Sequence, residues 1–586
     1  MNSYLDEKKA VVSKLANMGI NITPKILDFV MKFESPSEKV NSIIIEASFN
    51  PKFENHLTYE IMQSISEKEI QKALERHVND SIKVKEKIHK SKKRISTKNP
   101  TNIELKKVDD IKISETLGFK TVKTQSELQG ISNNTDPIGA NSGRKQKAKY
   151  FGATKPKIEF KPIARDYDFD YRIVKDPTGK IHSSGEYDEF YNLTLDKFEK
   201  LNRLIKKRPE AISSTTITNV LRNTKDQQIS ITGLVNEFRE TKKGNWFLTL
   251  EDNTGTINVI LRKDNDDPEN RKIIERLIQD QMVLIEGIYN PGNQNNNGII
   301  FADVIRKIDI PNNFEPKYSS DPLSIAFISD LHIGSKEFEQ KLWDRFIDFL
   351  NGNIDDQNLR TIAGKIKYII INGDLVDGIG IYPQQENDLV IKDIYKQFKK
   401  ASNLLSQIPD YIQIFFSSGN HDPVRNAIPR PAVSKKYAQD LIDIGIKCVG
   451  NPSIIQTHNV STLAYHGDSM LDMNLLVSGL ENEKPTETMK EFLICRHLAP
   501  IFGKRTQIAP TSNDWLVIDT IPDIFHTGHI HINGLDKYKN ISLVNSGCFQ
   551  AQTDFMKSFG IVPTPGRVPI IELDTYKSIE LDFSRN

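Results

Sequence analysis

Five apolar runs in the C-terminal half of the chain each end in a short polar motif rich in aspartate, histidine and glycine. The motifs are Asp330-Leu331-His332-Ile333-Gly334, Asn372-Gly373-Asp374-Leu375-Val376-Asp377, Gly419-Asn420-His421-Asp422, His466-Gly467-Asp468 and Gly528-His529-Ile530-His531. From about residue 321 the apolar runs alternate with helical segments, which is typical of an α/β domain. Loops at the carboxyl ends of strands build the sites of such sheets. The pattern therefore predicts that loops far apart in the chain meet at one site.

The side chains of these motifs suit divalent metal ions. Carboxylate, imidazole and amide groups bind Mn²⁺, Fe or Zn²⁺, and no thiolate is needed. Asp330 and His332 lie two positions apart, so both side chains point to the same side of an extended chain. His529 and His531 have the same spacing. A carboxylate such as Asp374 can bridge two ions, and two ions about 3.5–4 Å apart can clamp a phosphate.

The ordered set of motifs resembles the calcineurin-like metallophosphoesterase family, and its nuclease branch in particular. The resemblance implies a phosphoester-cleaving site with two divalent ions bridged by Asp374. It implies Asp330, His332 and His531 as ligands of one ion, and Asn420, His466 and His529 as ligands of the other. It also implies that His421 contacts the scissile phosphate and helps the leaving oxygen depart, with Asp422 orienting His421. Mn²⁺ is the leading expectation, with Fe, Zn²⁺ and Mg²⁺ as alternatives.

Other polar residues near the motifs match no ligand position. Asp377 and Arg425 lie beside motifs. Each has two alternative roles: it contacts the substrate or a metal ligand, or it belongs to the scaffold. We expect three further histidines, His458, His497 and His526, to be structural, although His526 is close to the site in sequence.

The pattern of apolar segments and turns in residues 161–315 predicts a β-barrel domain with a helical lead-in. The predicted strands cover residues 229–235, 246–250, 256–261, 282–287 and 299–305, with a helix over 270–278. Five strands with a helix after the third resemble an OB-fold. OB-folds bind single strands through basic grooves and stacked aromatic rings. Trp246, Phe247 and Tyr289 are available either for stacking or for the domain core.

The first 160 residues contain no motif of an active site. Residues 1–75 have apolar side chains at helical spacing and predict a small helical module, with Thr23-Pro24 as a helix start. Residues 76–160 are rich in lysine, glycine, serine and asparagine, and cannot bury enough apolar surface to fold alone. We expect a flexible basic linker here, which either contacts nucleic-acid phosphates loosely or serves as a solvated tether.

Charge and cysteine content narrow the functional classes. The formal net charge is only +2, so nucleic-acid binding must come from local basic patches. The 3 cysteines lie far apart, which argues against a disulfide framework or a zinc ribbon and favours a reducing compartment. The sequence shows neither a signal peptide nor an apolar run that could span a bilayer, so we expect no membrane association.

The order of the parts resembles the small subunits of archaeal family D DNA polymerases. Besides that order, the resemblance rests on residues 170–179, 328–335, 496–500 and 545–550. It implies a two-metal 3′→5′ exonuclease that proofreads single-stranded or mispaired 3′ DNA ends. It implies a large catalytic subunit as the partner needed for DNA synthesis, and the sliding clamp and DNA as further partners. A location at the nucleoid, in the cytoplasm of an archaeal cell, follows from the same resemblance.

Three other functions remain open. A stand-alone double-strand-break repair nuclease has the same five motifs, but such enzymes usually place the phosphoesterase first, without a preceding OB-fold. The second alternative is a structural polymerase subunit with a silent phosphoesterase fold. The complete set of seven polar ligands argues against it, because a silent fold gives no physical reason for these ligands to stay together. A small-molecule phosphatase would need neither an OB-fold nor a basic linker.

Overall fold

The computed structural model describes residues 160–263, 267–292, 298–558 and 560–585, together with short stretches between residues 8 and 70. The chain divides into two compact units, Met1–Gln146 and Lys147–Asn586. The predicted basic linker, 76–160, lies outside the described residues except for residue 160. Among the described residues, every helix is too short or too polar to cross a lipid bilayer.

The described residues of the first unit are mostly helical and include a short strand pair. Helix α1 spans Pro24–Val30 and α2 spans Pro36–Ser48, while β1 (Asn21–Ile22) pairs in parallel with β2 (His56–Leu57). Helix α1 begins at Pro24, whose ring presets the helical φ angle. The buried apolar side chains of α1 and α2 belong to one hydrophobic cluster. The wider prediction of a helical module over 1–75 includes residues that the structure does not describe.

The second unit opens with a lead-in segment. It contains strand β3 (Tyr171–Lys175) and helices α3 (Tyr187–Ile205) and α4 (Ile217–Leu221). Helix α3 packs Leu201 and Leu204 against Leu234 and Leu284, which follow later in the chain. The helical lead-in is therefore held by apolar contacts with the domain that follows it.

That domain is a closed five-stranded barrel. Its strands are β4 (Gln227–Glu240), β5 (Trp246–Asp252), β6 (Gly255–Leu261), β7 (Met282–Asn290) and β8 (Ile299–Lys307), in the closed order β4-β5-β6-β8-β7. Helix α5 (Pro268–Glu275) follows the third strand, and this arrangement confirms the predicted OB-fold. In β6 the buried residues alternate, because every second side chain points inward. Tyr289 belongs to the barrel core, so it is not available to stack on a base.

Two six-stranded sheets form the rest of the second unit. Their strands after the barrel are β9 (Ser324–Ile328), β10 (Ile366–Asn372), β11 (Gln413–Ser417), β12 (Lys447–Val449), β13 (Ser453–Thr457), β14 (Val460–Ala464), β15 (Ile524–Thr527), β16 (Gly534–Tyr538), β17 (Ile541–Asn545), β18 (Arg567–Glu572) and β19 (Ser578–Asp582). The first sheet has the order β12-β11-β10-β9-β18-β19, and the second has the order β16-β17-β15-β14-β13-β3.

Helices accompany both sheets. They are α6 (Gln340–Leu350), α7 (Gln357–Lys365), α8 (Ile394–Leu405), α9 (Lys435–Asp443), α10 (Met470–Leu476), α11 (Pro485–Cys495) and α12 (Asp554–Ser558). Helices α6, α8 and α9 contribute side chains to the same core as the first sheet, and α10 and α11 to a core with the second. Strand β10 is buried at every position, as expected for a parallel strand covered on both faces. Val460 and Val544 of the second sheet share the core of Ile325 and Ile370 in the first, so the two sheets pack together.

Strand β3 corrects the predicted boundary at residue 161. It pairs antiparallel with β13, with Tyr171 opposite Thr457, and so completes the second sheet instead of joining the barrel. Just before it, Ala164 is buried in the core of the first sheet, and its carbonyl oxygen accepts a hydrogen bond of 2.9 Å from Lys367 Nζ. A short strand shows no local sign of its partner, because tertiary contacts decide the pairing.

Candidate metal centre

The five polar motifs follow the carboxyl ends of strands from both sheets. Strands β9, β10 and β11 are parallel neighbours in the first sheet, and β14 and β15 are parallel neighbours in the second. Because parallel strands end at the same edge of a sheet, the loops after them lie close together. The loops that the sequence predicts to meet therefore do meet, between the edges of two sheets that share a core.

Five of the predicted metal ligands have the left-handed backbone conformation, in which residues other than glycine are strained. The φ angles are 53° at Asp330, 51° at His332, 51° at Asp374, 70° at His529 and 59° at His531. Each such residue costs about 1–3 kcal/mol and persists only where the surrounding structure holds it. This clustering of strain makes the strand ends a candidate functional site.

A first group of candidate ligands consists of Asp330, His332 and His531. One donor atom from each lies within 4.8 Å of the others, and all three side chains are buried. The Nε2 atoms of His332 and His531 are 3.1 Å apart. Asp330 Oδ1 lies 3.4 Å from His531 Nε2 but accepts no hydrogen bond among the described residues. Facing imidazole nitrogens beside a buried carboxylate oxygen that accepts no hydrogen bond form a donor set that fits a metal ion.

A second group consists of Asp374, His466 and His529, whose donor atoms again lie within 4.8 Å of one another. Asn420 Oδ1 lies 3.0 Å from His466 Nε2, so the predicted amide ligand faces the same point. Asp374 Oδ2 lies 3.3 Å from His466 Nε2 and 3.8 Å from His332 Nε2. Asp374 thus lies between the two groups, which is the position that a bridging ligand needs.

The electrostatics of the second group favour positive charge. Burial lowers the pKa of His466, but the Asp374 carboxylate outweighs it and raises this pKa to about 10. Burial raises the pKa of Asp374, but the imidazoles of His466 and His421 outweigh it and hold this pKa well below its usual range. For His529, burial and then the charge of His466 lower the pKa to about 4. The proton on His466 partly neutralises the Asp374 carboxylate. A bound divalent ion would displace this proton and supply the positive charge instead.

His421 is oriented by a backbone carbonyl group and a side-chain carboxylate of the neighbouring motif. Its Nδ1 lies 2.8 Å from the carbonyl oxygen of Asp377, and its backbone N–H donates to Asp374 Oδ1 at 2.8 Å. A carbonyl oxygen only accepts hydrogen bonds, so Nδ1 carries a proton. The ring packs edge-on against His332, with centroids 4.6 Å apart. Nε2 is therefore the nitrogen that remains to bind or protonate a substrate oxygen.

Asp422 joins two motif loops and does not orient His421, which corrects the prediction. Its Oδ2 accepts hydrogen bonds from the backbone N–H groups of Gly419, at 2.8 Å, and Asp374, at 3.0 Å. Burial, and then the charge of Asp374, raise the pKa of Asp422 to about 7. The orientation of His421 comes from the carbonyl group of Asp377 instead.

Asp377 contacts a metal-ligand candidate directly. Its Oδ1 lies 2.9 Å from Nδ1 of His332. This contact leaves Nε2 of His332 to face the other members of the first ligand group, Asp330 and His531. Buried Gln385 donates to Asp377 Oδ2 at 3.0 Å and to its carbonyl oxygen at 2.7 Å. Of the two open alternatives for Asp377, the structure favours contact with a ligand. Gln385 was not predicted, because no motif marks a glutamine in a loop.

Comparisons with known proteins agree with this arrangement. The family of DNA polymerase alpha/epsilon B subunits matches residues 325–532, and the family described as OB-fold nucleic acid binding domain matches residues 229–308. The DNA polymerase II small subunit of Methanothermobacter thermautotrophicus is 38% identical over 422 residues, which cover 71% of this chain and 84% of that protein. The protein of the same name from Pyrococcus horikoshii is 39% identical over 441 residues, which cover 73% of this chain and 70% of that protein.

The chain belongs to the family of archaeal DNA polymerase II small subunits. The resemblance to small subunits of family D polymerases is therefore confirmed. Within this chain the match to the alpha/epsilon family begins within β9 and ends just after His531, so it contains all five motifs.

The remaining predicted residues of this small subunit belong to its scaffold. The guanidinium group of Arg425 donates hydrogen bonds to the carbonyl oxygens of Pro429 and Ile181, each at 2.9 Å. The three histidines expected to be structural all have partners outside the ligand groups. The pairs are His458 with Asp321, His497 with Asp514, and His526 with Ser546.

Proposed function

We propose that this small subunit is a two-metal 3′→5′ DNA exonuclease that removes single-stranded or mispaired 3′ ends within the polymerase. The main support is the position of Asp374 between two groups of candidate ligand atoms. We assign the two helix-flanked sheets, with ligands at their strand ends, to the calcineurin-like metallophosphoesterases. The alternative of a silent phosphoesterase fold leaves the strained backbone and the unsatisfied oxygen of Asp330 unexplained.

Two divalent ions fit the site. Asp330, His332 and His531 would hold one ion, and Asn420, His466 and His529 the other, with Asp374 between them. Mn²⁺ is our first choice, and Fe, Zn²⁺ and Mg²⁺ are alternatives, because oxygen and imidazole donors without a thiolate accept several metals. When bound, the ions activate water and neutralise charge at the phosphate.

The chain's own residues perform the remaining steps. His421 has its Nδ1 proton fixed by the carbonyl oxygen of Asp377, so Nε2 is the nitrogen that faces the substrate. As the general acid, His421 donates a proton from Nε2 to the 3′ oxygen as that oxygen leaves the scissile phosphate, and a nucleoside monophosphate is released. Asp377 also holds the His332 ring in place, so one residue aligns the metal ligand and the proton donor.

The polymerase context defines the substrate and the partners. The names of the relatives describe them as small subunits of a DNA polymerase, so we propose a large catalytic subunit as the partner required for DNA synthesis. The surfaces of the OB-fold and of the phosphoesterase domain would bind that subunit. The sliding clamp and primed DNA would be further partners, at the nucleoid of an archaeal cell.

A nuclease assay on the full chain tests this function. With Mn²⁺, we expect a 5′-labelled single strand to shorten stepwise from its 3′ end, and EDTA to stop the reaction. His421→Ala should lower the rate roughly 10²–10⁴-fold, the usual contribution of a general acid. His182→Ala, at an exposed histidine outside the site, is the matched control. Absence of shortening even with the large subunit added would overturn the proposal in favour of a structural subunit.

A further inference from the structure

The N-terminal turns of α8 and α9 lie side by side and expose a cluster of lysines. Tyr395 of α8 and Tyr437 of α9 are in contact, with ring centroids 5.3 Å apart. The exposed lysines around this pair are Lys392, Lys396, Lys399, Lys435 and Lys436. We refer to these seven residues as the lysine–tyrosine surface.

The lysine–tyrosine surface adjoins the candidate metal centre through Gln397 of α8. The buried side chain of Gln397 donates to the carbonyl oxygen of Gly378 and accepts from its N–H, both at 3.0 Å. Gly378 directly follows Asp377, whose carbonyl oxygen holds His421. A Cβ atom added to Gly334, two residues after His332, would lie 2.8 Å from the Gln397 side chain. The first turns of α8 therefore lie against two of the loops that hold the ligands.

Most of the positive charge on this surface has no anionic partner. Among the described residues, the five lysines form one ion pair, between Lys399 and Asp440 at 3.4 Å, and both side chains are exposed. The Asp393 carboxylate caps α8 by accepting from the Lys396 N–H. On α11, by contrast, Lys490 pairs with Glu487 and Asp536, each at 2.7 Å. A cluster of unneutralised lysines beside a phosphodiester site complements a polyanionic strand.

The tyrosines add a second element of nucleic-acid recognition. The Tyr395 side chain is 48% exposed, so a base can stack on it. Lys436 Nζ lies 5.2 Å from the centroid of the Tyr437 ring, which places a cation beside the aromatic pair. Alternating aromatic rings and cations suit a single strand, whose bases are free to stack while its phosphates meet lysines.

We propose that the lysine–tyrosine surface binds the single DNA strand whose 3′ end enters the metal centre. The lysines contact its phosphates and Tyr395 stacks on a base. The choice of DNA as the ligand rests on the exonuclease function proposed above. The surface guides the strand toward His421 and takes no part in the chemical step.

Strand binding by the full chain tests the surface directly. Fluorescence anisotropy with a labelled oligothymidylate is measured in the His421→Ala background, which prevents cleavage. The triple variant Lys396→Ala, Lys435→Ala, Lys436→Ala should bind roughly tenfold or more weakly, and the log–log salt slope should fall by about 2, at about 0.7 for each phosphate that no longer meets a lysine. The control triple Lys206→Ala, Lys207→Ala, Lys225→Ala removes the same charge from exposed sites before the barrel and should keep the parent affinity.

Further outcomes separate this proposal from the exonuclease function. With His421 intact, the first triple variant should hydrolyse bis(p-nitrophenyl) phosphate at the parent rate with Mn²⁺, because this diester has no second phosphate for the lysines to bind. Equal strand affinity in the two triple variants would overturn the proposal. The proposal would also be overturned if the first triple variant kept its strand affinity but no longer bound the co-expressed large subunit. The surface would then be a docking site for protein. A parent chain that hydrolyses neither substrate would contradict the exonuclease function, while the binding comparison would still decide the surface.

The stacking contact has its own test. Tyr395→Ala should weaken binding of oligothymidylate several-fold and leave binding of an abasic strand of equal length unchanged, because the abasic strand has no base to stack. Equal losses for both strands would overturn the role of Tyr395.

Discussion

Asp377 connects two histidines with different roles in the candidate metal centre. Its carboxylate faces Nδ1 of His332 at 2.9 Å, and its carbonyl oxygen faces Nδ1 of His421 at 2.8 Å. Hydrogen-bonded partners of this kind set the tautomer and orientation of a metal-binding imidazole. The buried Gln385 side chain donates hydrogen bonds to Asp377 Oδ2 and to the Asp377 carbonyl oxygen, so Asp377 is itself held by a buried side chain.

Removing the Asp377 carboxylate should weaken metal binding more than it affects folding. We expect Asp377→Ala to raise the Kd for Mn²⁺ about 10–100-fold, the usual effect of losing such a partner. Isothermal titration calorimetry measures the Kd. Glu386→Ala removes an exposed carboxylate from the same loop and should leave it unchanged. Equal affinities for Asp377→Ala and the parent chain would mean that the His332 ring is held by other contacts.

The protonation of His466 should make metal affinity depend on pH. Burial lowers its pKa, but Asp374 raises it to about 10, so below this pH the ring carries a proton that an incoming ion must displace. Metal affinity should therefore rise with pH, by up to about tenfold per pH unit for one released proton. Mn²⁺ titrations between about pH 6 and about pH 8 measure the slope. The pKa of His526 is lowered to about 3, chiefly by burial, so that ring stays neutral across this range and adds nothing. A flat profile would contradict the assignment of His466 as a ligand.

At the scale of the elements, each ligand loop depends on a sharp turn directly after its strand. Gly373 follows β10 with a φ angle of 90°, and a Cβ atom at this position would overlap the ring of His466 from another loop. Gly419 is limited in the same way by Asp374. These strand ends can approach one another only because the intervening positions have no side chain.

Paired glycine substitutions separate backbone strain from loss of the site. Gly373→Ala and Gly445→Ala introduce a side chain at nearly equal φ angles, 90° and 91°, but a Cβ atom at Gly445 would meet no neighbour within 4 Å. Gly445→Ala should lower stability by roughly 1–2 kcal/mol, the cost of a left-handed conformation for a residue with a Cβ. Gly373→Ala should lower it further, because its Cβ also overlaps the His466 ring. Only Gly373→Ala should also lose Mn²⁺ binding, because it displaces His466. Thermal unfolding and Mn²⁺ titration of both variants provide the measurement, and retained binding in Gly373→Ala would contradict this packing.

At the scale of the whole molecule, the seven candidate ligands lie within one domain, between residues 330 and 531. The barrel precedes this domain in the chain, and β3 joins the second sheet before the barrel begins. The barrel is thus an insertion between one strand of the second sheet and the remainder of that domain. Contacts on two sides of the barrel support one compact unit: Leu201 of α3 packs with Leu284 of β7, and Glu491 of α11 pairs with Arg276, just after α5, at 3.0 Å.

Confinement of the ligands to this domain predicts that nuclease activity can be removed from the polymerase complex without loss of synthesis. In a complex with the large subunit, Asp374→Ala should abolish removal of a mispaired 3′ end, because the two ligand groups lose the carboxylate between them. Primer extension from a matched end should continue at close to the parent rate. Both activities are measured on the same primer–template. Loss of extension together with nuclease activity would show that the two sites are not separate.

Patterns that are local in the chain allowed much of this arrangement to be predicted. The five barrel strands and the helix after the third follow from alternating apolar residues and turn signals, and the candidate ligands follow from apolar runs that end in polar motifs. These features can be predicted from the sequence because each depends on a few consecutive residues. Within each sheet the meeting of neighbouring loops was predictable for the same reason, since parallel strands share an edge. That the edges of the two sheets lie together follows only from the tertiary packing.

Long-range contacts account for what the sequence did not reveal. Asp377 orients His421 through a backbone carbonyl, a group that every residue has, so no residue type marks this role. Asp422 likewise binds backbone N–H groups and joins loops, although its position next to His421 predicted otherwise. Strand β3 pairs with β13, almost three hundred residues later, because its edge of the second sheet needs a partner. Such contacts depend on which backbone groups the fold brings together. The spacing of residues along the sequence gives no information about which groups these are.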